Sequence, residues 1–114
     1  MKLIFAVIRP KKWVAVRESL SEIDVERLTV TDALCYAEPE GESEIGSPID
    51  GSDLTPYVFV EIIVNDDFLD RTIEMIEKVA RTGTNETFGD GKIFVLPLEQ
   101  AIRIKDGFRG KGAV

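Results

Sequence analysis

The sequence predicts an α+β fold, a ferredoxin-like βαββαβ sandwich whose antiparallel sheet carries two helices on one face. Three observations predict it. Strand-like apolar runs and helix-period stretches alternate in the order β-α-β-β-α-β. The strand runs are apolar on both sides, as in a sheet covered twice. The chain has 114 residues, one domain's worth, taken as 1–114.

The elements follow in order. Leu3, Phe5 and Val7 alternate with Ile4, Ala6 and Ile8, so the first strand is a central one. Pro10 ends it and suits the first turn of a helix. Trp13, Val16, Leu20 and Ile23 recur at helical spacing and give one apolar stripe over about Lys11–Glu22. Leu28–Ala37 begins β-branched and reads as the second strand. Pro56–Val64 has the highest β propensity in the chain and reads as the third. Asn65-Asp66-Asp67 starts a helix, with a capping side chain followed by acids at the positive end of the dipole. Leu69, Ile73, Ile76 and Ala80 give that helix its buried face. Lys92–Leu96 is the last strand, broken by Pro97. Two helices on one face leave the other sheet face bare, and its apolar residues then call for a second copy.

Composition narrows the function. A net charge of −7 makes duplex nucleic acid and anionic membrane poor partners for the surface as a whole. No apolar run approaches the roughly 20 residues of a membrane span, and Met1–Phe5 reads as strand rather than signal peptide. The single cysteine, Cys35, forbids an internal disulfide and points to a reducing cytoplasm. Cys35 reads as a structural thiol. No histidine is present, which removes the commonest general base and transition-metal ligand. The composition suits a binding module better than an acid–base enzyme.

Two segments carry cationic or phosphate chemistry. Arg81-Thr82-Gly83 leads through a polar stretch to Gly89-Asp90-Gly91-Lys92-Ile93-Phe94-Val95, in the order helix, glycine-rich loop, strand. Amides in such a loop can converge on one anion, with Lys92 supplying charge. A P-loop has the reverse order and needs Ser or Thr after its lysine, so a GTPase or kinase is excluded. The same residues also suit an ordinary glycine turn. Farther on, Arg103, Lys105, Arg109 and Lys111 gather at one end of an acidic chain. On an extended segment, Arg103 and Lys105 would face the same way. Arg9 and Arg17 read as surface solvation. Between Arg27 and Arg71 there is no Lys or Arg at all. The connection at about 38–55 holds six acids with glycines and prolines, and reads as a mobile, solvated loop.

The glycine-rich run from Arg81 to Val95 resembles the B-loop of the PII signal-transduction family. Ile8-Arg9-Pro10 is similar to that family's first strand and helix start. Thr29-Val30-Thr31 falls where the family has its second-strand Thr-Val-Thr. Ala101-Ile102-Arg103-Ile104 and Gly107 resemble its C-terminal segment. The four anchors lie in the right order over nearly the whole chain. The resemblance implies a homotrimer with an adenine nucleotide, ADP, AMP or ATP, in the cleft between subunits. Gly89, Asp90, Gly91 and Lys92 of one subunit would face Arg103 and Lys105 of the next. Thr29 would meet the adenine amino group, and backbone beside Ile63 the base. Lys105 stands where a second arginine is usual, which exchanges a planar fork for a point charge.

The departures are as specific. Thr84 to Phe88 lengthen the glycine-rich loop (82–92), and Cys35 and Ala37 replace glycines. Glu38-Pro39 stands where nitrogen-sensing members have Arg-Gln, so the glutamine that joins Mg²⁺ and 2-oxoglutarate is absent. Tyr57 follows Pro56 in place of the lysine that pairs with 2-oxoglutarate. The acidic loop lacks a tyrosine for uridylylation and an arginine to plug an ammonium transporter. The resemblance therefore implies a cytoplasmic regulator and not an enzyme. Its ligand would shift the population of loop states that a membrane transporter or metabolic enzyme reads. ADP or AMP is expected over ATP, 2-oxoglutarate is not expected, and a link to inorganic carbon is the suggested setting. No catalytic residue and no metal set is assigned, and Mg²⁺ has only loop carboxylates to recommend it. Two other classes are a slow Mg²⁺-dependent nucleotide hydrolase using Glu38 or Glu40, and a structural or ion-responsive trimer without nucleotide.

Overall fold

A computed structural model describes residues 1–36, 54–83 and 89–114. The acidic connection and the inserted Thr84–Phe88, with the expectations attached to both, lie outside the described residues. The elements are β1 (Lys2–Ile8), α1 (Trp13–Glu22), β2 (Thr29–Tyr36), β3 (Leu54–Val64), α2 (Asp66–Ala80) and β4 (Gly91–Pro97). A turn of 3-10 helix, Pro10–Lys12, leads into α1, so the expected helix start at Lys11 shifts by two residues. The sheet order is β2-β3-β1-β4 and every pairing is antiparallel. This is the expected ferredoxin-like sandwich, with β1 central.

Alternation along β1 sorts its residues between the two faces. Ile4, Ala6 and Ile8 are buried together with Val58, Val60, Ile62 and Val64 of β3. Val16 and Leu20 of α1 and Ile76 and Ala80 of α2 close over them. Thr72 is fully buried on α2, and its hydroxyl donates to the Phe68 carbonyl at 2.7 Å, so the helix itself satisfies it. The opposite face carries Leu3, Phe5 and Val7. Register places Ile63, Glu61 and Phe59 beside them on one side and Leu96, Phe94 and Lys92 on the other. Phe5 meets the Phe59 ring edge-on at 5.0 Å and the Phe94 ring at 6.3 Å. Among the described residues no helix covers this aromatic row, and Phe94 is 49% exposed.

Local chemistry explains the element ends. After α1, Asp24 takes φ 65, and Val25 and Asp24 donate to the Leu20 and Ser21 carbonyls. This is a Schellman stop, with buried Val25 against buried Leu20 as its apolar contact. β3 begins at Leu54, two residues before the expected start at Pro56. Pro56 is tolerated because β1 pairing begins only at Val58, so the strand there has one ladder and not two. At α2, Asn65 occupies the N-cap position but makes no capping hydrogen bond. Its amide donates instead to the Lys111 carbonyl at 3.4 Å, so the expected side-chain cap is replaced by a tether to the C-terminal segment.

Ile76 is the α2 residue most enclosed by this core. Ile76→Ala should lower the stability of the fold by about 2–5 kcal/mol. A chemical-denaturation midpoint at the parental value would show that α2 does not close the core.

Candidate functional site

The glycine-rich loop leaves α2 at Arg81 and enters β4 at Gly91, and Asp90 organises its two described ends. One carboxylate oxygen of Asp90 accepts the Thr82 backbone N–H at 2.9 Å. The other accepts the Thr82 hydroxyl and, at 3.2 Å, Nε–H of Arg9. Arg9 lies just past the end of β1, and only 13% of its side chain is exposed. It is a loop anchor, not the surface-solvating residue expected from sequence. These bonds hold the Asp90 carboxyl below its ordinary range, the Thr82 hydroxyl and N–H foremost and Arg9 after them, against the opposing effect of burial.

Two glycines are required by the geometry. Gly89 has φ 65, a left-handed conformation that costs glycine little. Gly91 has φ 116, and a Cβ built there would lie 1.7 Å from the Val7 carbonyl oxygen. That close approach lets β4 join β1 at the Ile8–Gly91 pair. Lys92 follows immediately, opposite Val7 on the helix-free face and exposed. A cleft of about 360 Å³ lies against this corner, lined by Ile73, Ile76, Ala80, Arg81, Gly91 and Lys92 among others.

Tyr57 was singled out in the sequence only for the lysine it replaces. Its ring is 5% exposed, and its hydroxyl donates to the Gly89 carbonyl at 3.0 Å. β3 is thereby tied to the glycine-rich loop across 32 residues of chain. Sequence alone gave no signal for this contact, because it depends on β3 and the loop meeting past the end of β1.

Thr29 and Ile63 come together elsewhere. Both line a cleft of about 480 Å³ with Leu3, Arg27, Glu61 and Ala101. Thr29 opens β2 at one edge of the sheet, and Lys92 lies on β4 at the other. The face is the same, since the register rows Thr29–Glu61–Phe5–Phe94 and Thr31–Phe59–Val7–Lys92 are neighbours of one parity. Three strand spacings of about 4.8 Å put these edges roughly 14 Å apart.

The C-terminal segment is turned, not extended. Gly107 N–H donates to the Arg103 carbonyl at 2.7 Å, and Arg103 N–H to the Phe108 carbonyl at 2.8 Å. The i, i+2 argument that aligned Arg103 with Lys105 therefore does not hold. Arg103 instead grips Asp106 with two parallel bonds, 3.0 Å from Nε and 2.7 Å from a terminal nitrogen, with its guanidinium carbon 5.3 Å from the Phe108 ring centre. That clasp raises the Arg103 pKa further. It also lowers that of Asp106, helped by the Phe108 N–H. Lys105 and Ile104 stand exposed on the turn, Ile104 almost wholly so.

Among the described residues, no group of three or more Cys, Asp or Glu side chains is placed to hold a metal ion. No helix among these residues is long and apolar enough to cross a membrane. The arrangement offers a glycine turn beside an exposed lysine, and clefts at both edges of the sheet, on a ferredoxin-like scaffold.

Comparison with known proteins agrees with that class. The family model for nitrogen regulatory protein P-II matches residues 1–108. The chain is 40% identical over 115 aligned positions to nitrogen regulatory protein P-II of Rhodospirillum rubrum, with the whole of both chains covered. It is 42% identical to nitrogen regulatory protein GlnK1 of Methanosarcina mazei, covering all of this chain and 97% of that one. It is 37% identical to nitrogen regulatory protein GlnK of Escherichia coli, again over the whole of both. The chain belongs to the P-II family of regulatory signalling proteins.

The Asp90 network makes an acid-sensitive contribution to stability. A carboxylate with a lowered folded-state pKa stabilises the fold above its unfolded pKa, near 3.9, and ceases to as pH falls through the folded value. Asp90→Asn should therefore melt below the parent at pH 7, and the gap should close as pH is taken below about 4. Thermal scans across this range measure it. An unchanged gap at low pH would show that the carboxylate charge is not what holds the loop.

Proposed function

We propose that the chain is a homotrimeric P-II regulator that binds an adenine nucleotide between protomers and signals its occupancy to a protein target through residues 38–55. The observation that carries this reading is the separation of the candidate residues. Thr29 and Ile63 share a cleft at one edge of the sheet, and Gly91 and Lys92 share another corner at the opposite edge. On one protomer the two lie in separate clefts and do not face each other. A neighbour that places its β4 corner against the β2 edge would bring both kinds of residue onto one small ligand.

The uncovered aromatic face supports the same assembly. Phe5, Phe59, Phe94, Leu96 and Ile63 form an apolar surface that one helix layer leaves in water. Burying it against copies of itself removes that cost. Within the site, Lys92 and the amides of the Gly89–Gly91 turn serve phosphate. Asp90 serves the turn itself rather than the anion, which it would repel. Arg103 reaches phosphate in exchange for part of its Asp106 clasp, and Lys105 adds a point charge. ADP and AMP are favoured over ATP because Glu38 puts an acid where relatives of the nitrogen-sensing kind have a cation. Mg²⁺ is at most an accessory of the phosphates.

The names of the relatives tie them to nitrogen regulation. In this chain Pro39 and Tyr57 lack the groups a 2-oxoglutarate dicarboxylate needs. We therefore assign it a cytoplasmic regulatory role with a different second effector. Inorganic-carbon metabolism is the suggested setting, and the target is a transporter or metabolic enzyme rather than nucleic acid.

Calorimetry with ADP tests the site. Lys92→Ala and Arg103→Ala should each weaken binding about 10- to 100-fold, the loss of one charge-assisted phosphate contact. Both should melt close to the parent, since both side chains are exposed and surface charges of this kind hold little of a fold's stability. Normal ADP binding by both variants would reject the site, and a monomer mass by light scattering at micromolar concentration would reject the assembly. In the same calorimeter, 2-oxoglutarate should give no saturable heat with or without Mg²⁺ and ATP. Saturable binding up to low millimolar concentration would overturn the assignment of a different effector.

A further inference from the structure

We propose that Tyr57 is a positioning residue for the anion cradle, fixing the plane of the Gly89–Asp90 peptide so that the Asp90 N–H is aimed at bound phosphate. This rests on the nucleotide reading above. The Tyr57 hydroxyl donates to the Gly89 carbonyl at 3.0 Å. No peptide among the described residues is cis. In a planar trans peptide the carbonyl and the following N–H point in opposite directions. Holding the Gly89 carbonyl toward Tyr57 therefore turns the Asp90 N–H to the other side of the loop. No carbonyl among the described residues accepts it there.

The peptide needs such a pin. A flip of this plane rotates Gly89 ψ and Asp90 φ together; Gly89, at φ 65, has no Cβ to hinder the rotation, and aspartate is among the residues that enter the left-handed region most readily, so a flipped state is accessible. The Asp90 side chain does not prevent a flip, because its bonds to Thr82 and Arg9 fix the carboxylate, beyond the peptide in question. Tyr57 fixes the carbonyl itself. It is well placed for this: the ring is buried, and it opposes Ala33 of β2, past the last β1–β3 pair at Ile8–Val58. A lysine at this position would put a charge, not a neutral hydroxyl donor, beside the carbonyl. The substitution that removes a candidate effector contact therefore gives the phosphate loop a fixed geometry.

Tyr57→Phe removes the hydroxyl and keeps the ring, so the fold should survive. Two readouts test the proposal. In the ligand-free variant, the Asp90 amide should show microsecond-to-millisecond exchange by NMR relaxation dispersion that the parent lacks. ADP affinity by calorimetry should fall about 3- to 10-fold, the worth of one neutral hydrogen bond. A purely structural tyrosine would lower the melting temperature and leave the Asp90 amide and the ADP affinity as in the parent, and that result overturns the proposal. Parental ADP binding with Tyr57→Phe equal to it also overturns it, while the nucleotide reading stands. Absence of ADP binding by the parent rejects both at once.

Discussion

The structure depends on the double antiparallel pairing of β1. It bonds β3 on one side and β4 on the other over the same seven residues, Lys2–Ile8. Side-chain alternation then sorts its residues between two environments. Ile4, Ala6 and Ile8 seed the core under the helices, and Leu3, Phe5 and Val7 start the uncovered face. A slip of one residue would exchange these sets and place Leu3, Phe5 and Val7 under the helices while turning Ile4, Ala6 and Ile8 out, so the register is strongly specified. The close fit of Gly91 on the Val7 carbonyl is part of that specification, because no other residue type fits there.

The candidate site grows from where β1 stops. Past Ile8, the ladder gives way to side chains. Arg9 takes Asp90, Asp90 takes Thr82, and Tyr57 takes the Gly89 carbonyl. Four segments distant in sequence meet there: the end of β1, the first part of β3, the exit from α2 and the entry to β4. The loop is set by polar contacts of modest individual worth, unlike the apolar core beneath it. A site built in this way can respond to a ligand without disturbing the fold. Its neighbour on β3 is also close to the point where residues 37–53 rejoin the sheet at Leu54.

In the proposed regulator, apolar surface and charge would divide the labour of assembly and recognition. The uncovered face is mostly aromatic and aliphatic, with Glu61 set among these residues between Thr29 and Phe5 and Lys92 on the edge strand β4. Apolar burial is non-directional and suits holding copies together. The charged groups act where partners of opposite sign meet. Arg103 illustrates the balance, since the same planar fork that suits a phosphate is held by Asp106 in the single chain.

The sequence by itself determined the element order, the central place of β1, the faces of both helices and membership of the P-II family. Each of these is written locally, in hydrophobic period, turn residues and contiguous motifs such as Gly89-Asp90-Gly91-Lys92. It also supplied Thr29 and Ile63 as candidates, and these do share one cleft. Only the tertiary structure decided what the polar side chains do. Arg9 became an anchor because the end of β1 meets the loop, and Asp90 became its organiser because Thr82 folds back onto it. Tyr57 gained its partner from a loop thirty-odd residues away in sequence. Arg103 turned onto Asp106 because the segment bends at Gly107. Periodicity reports which way a side chain faces within its own element. Hydrogen bonds between elements depend on register and strand length together, and no local pattern records either.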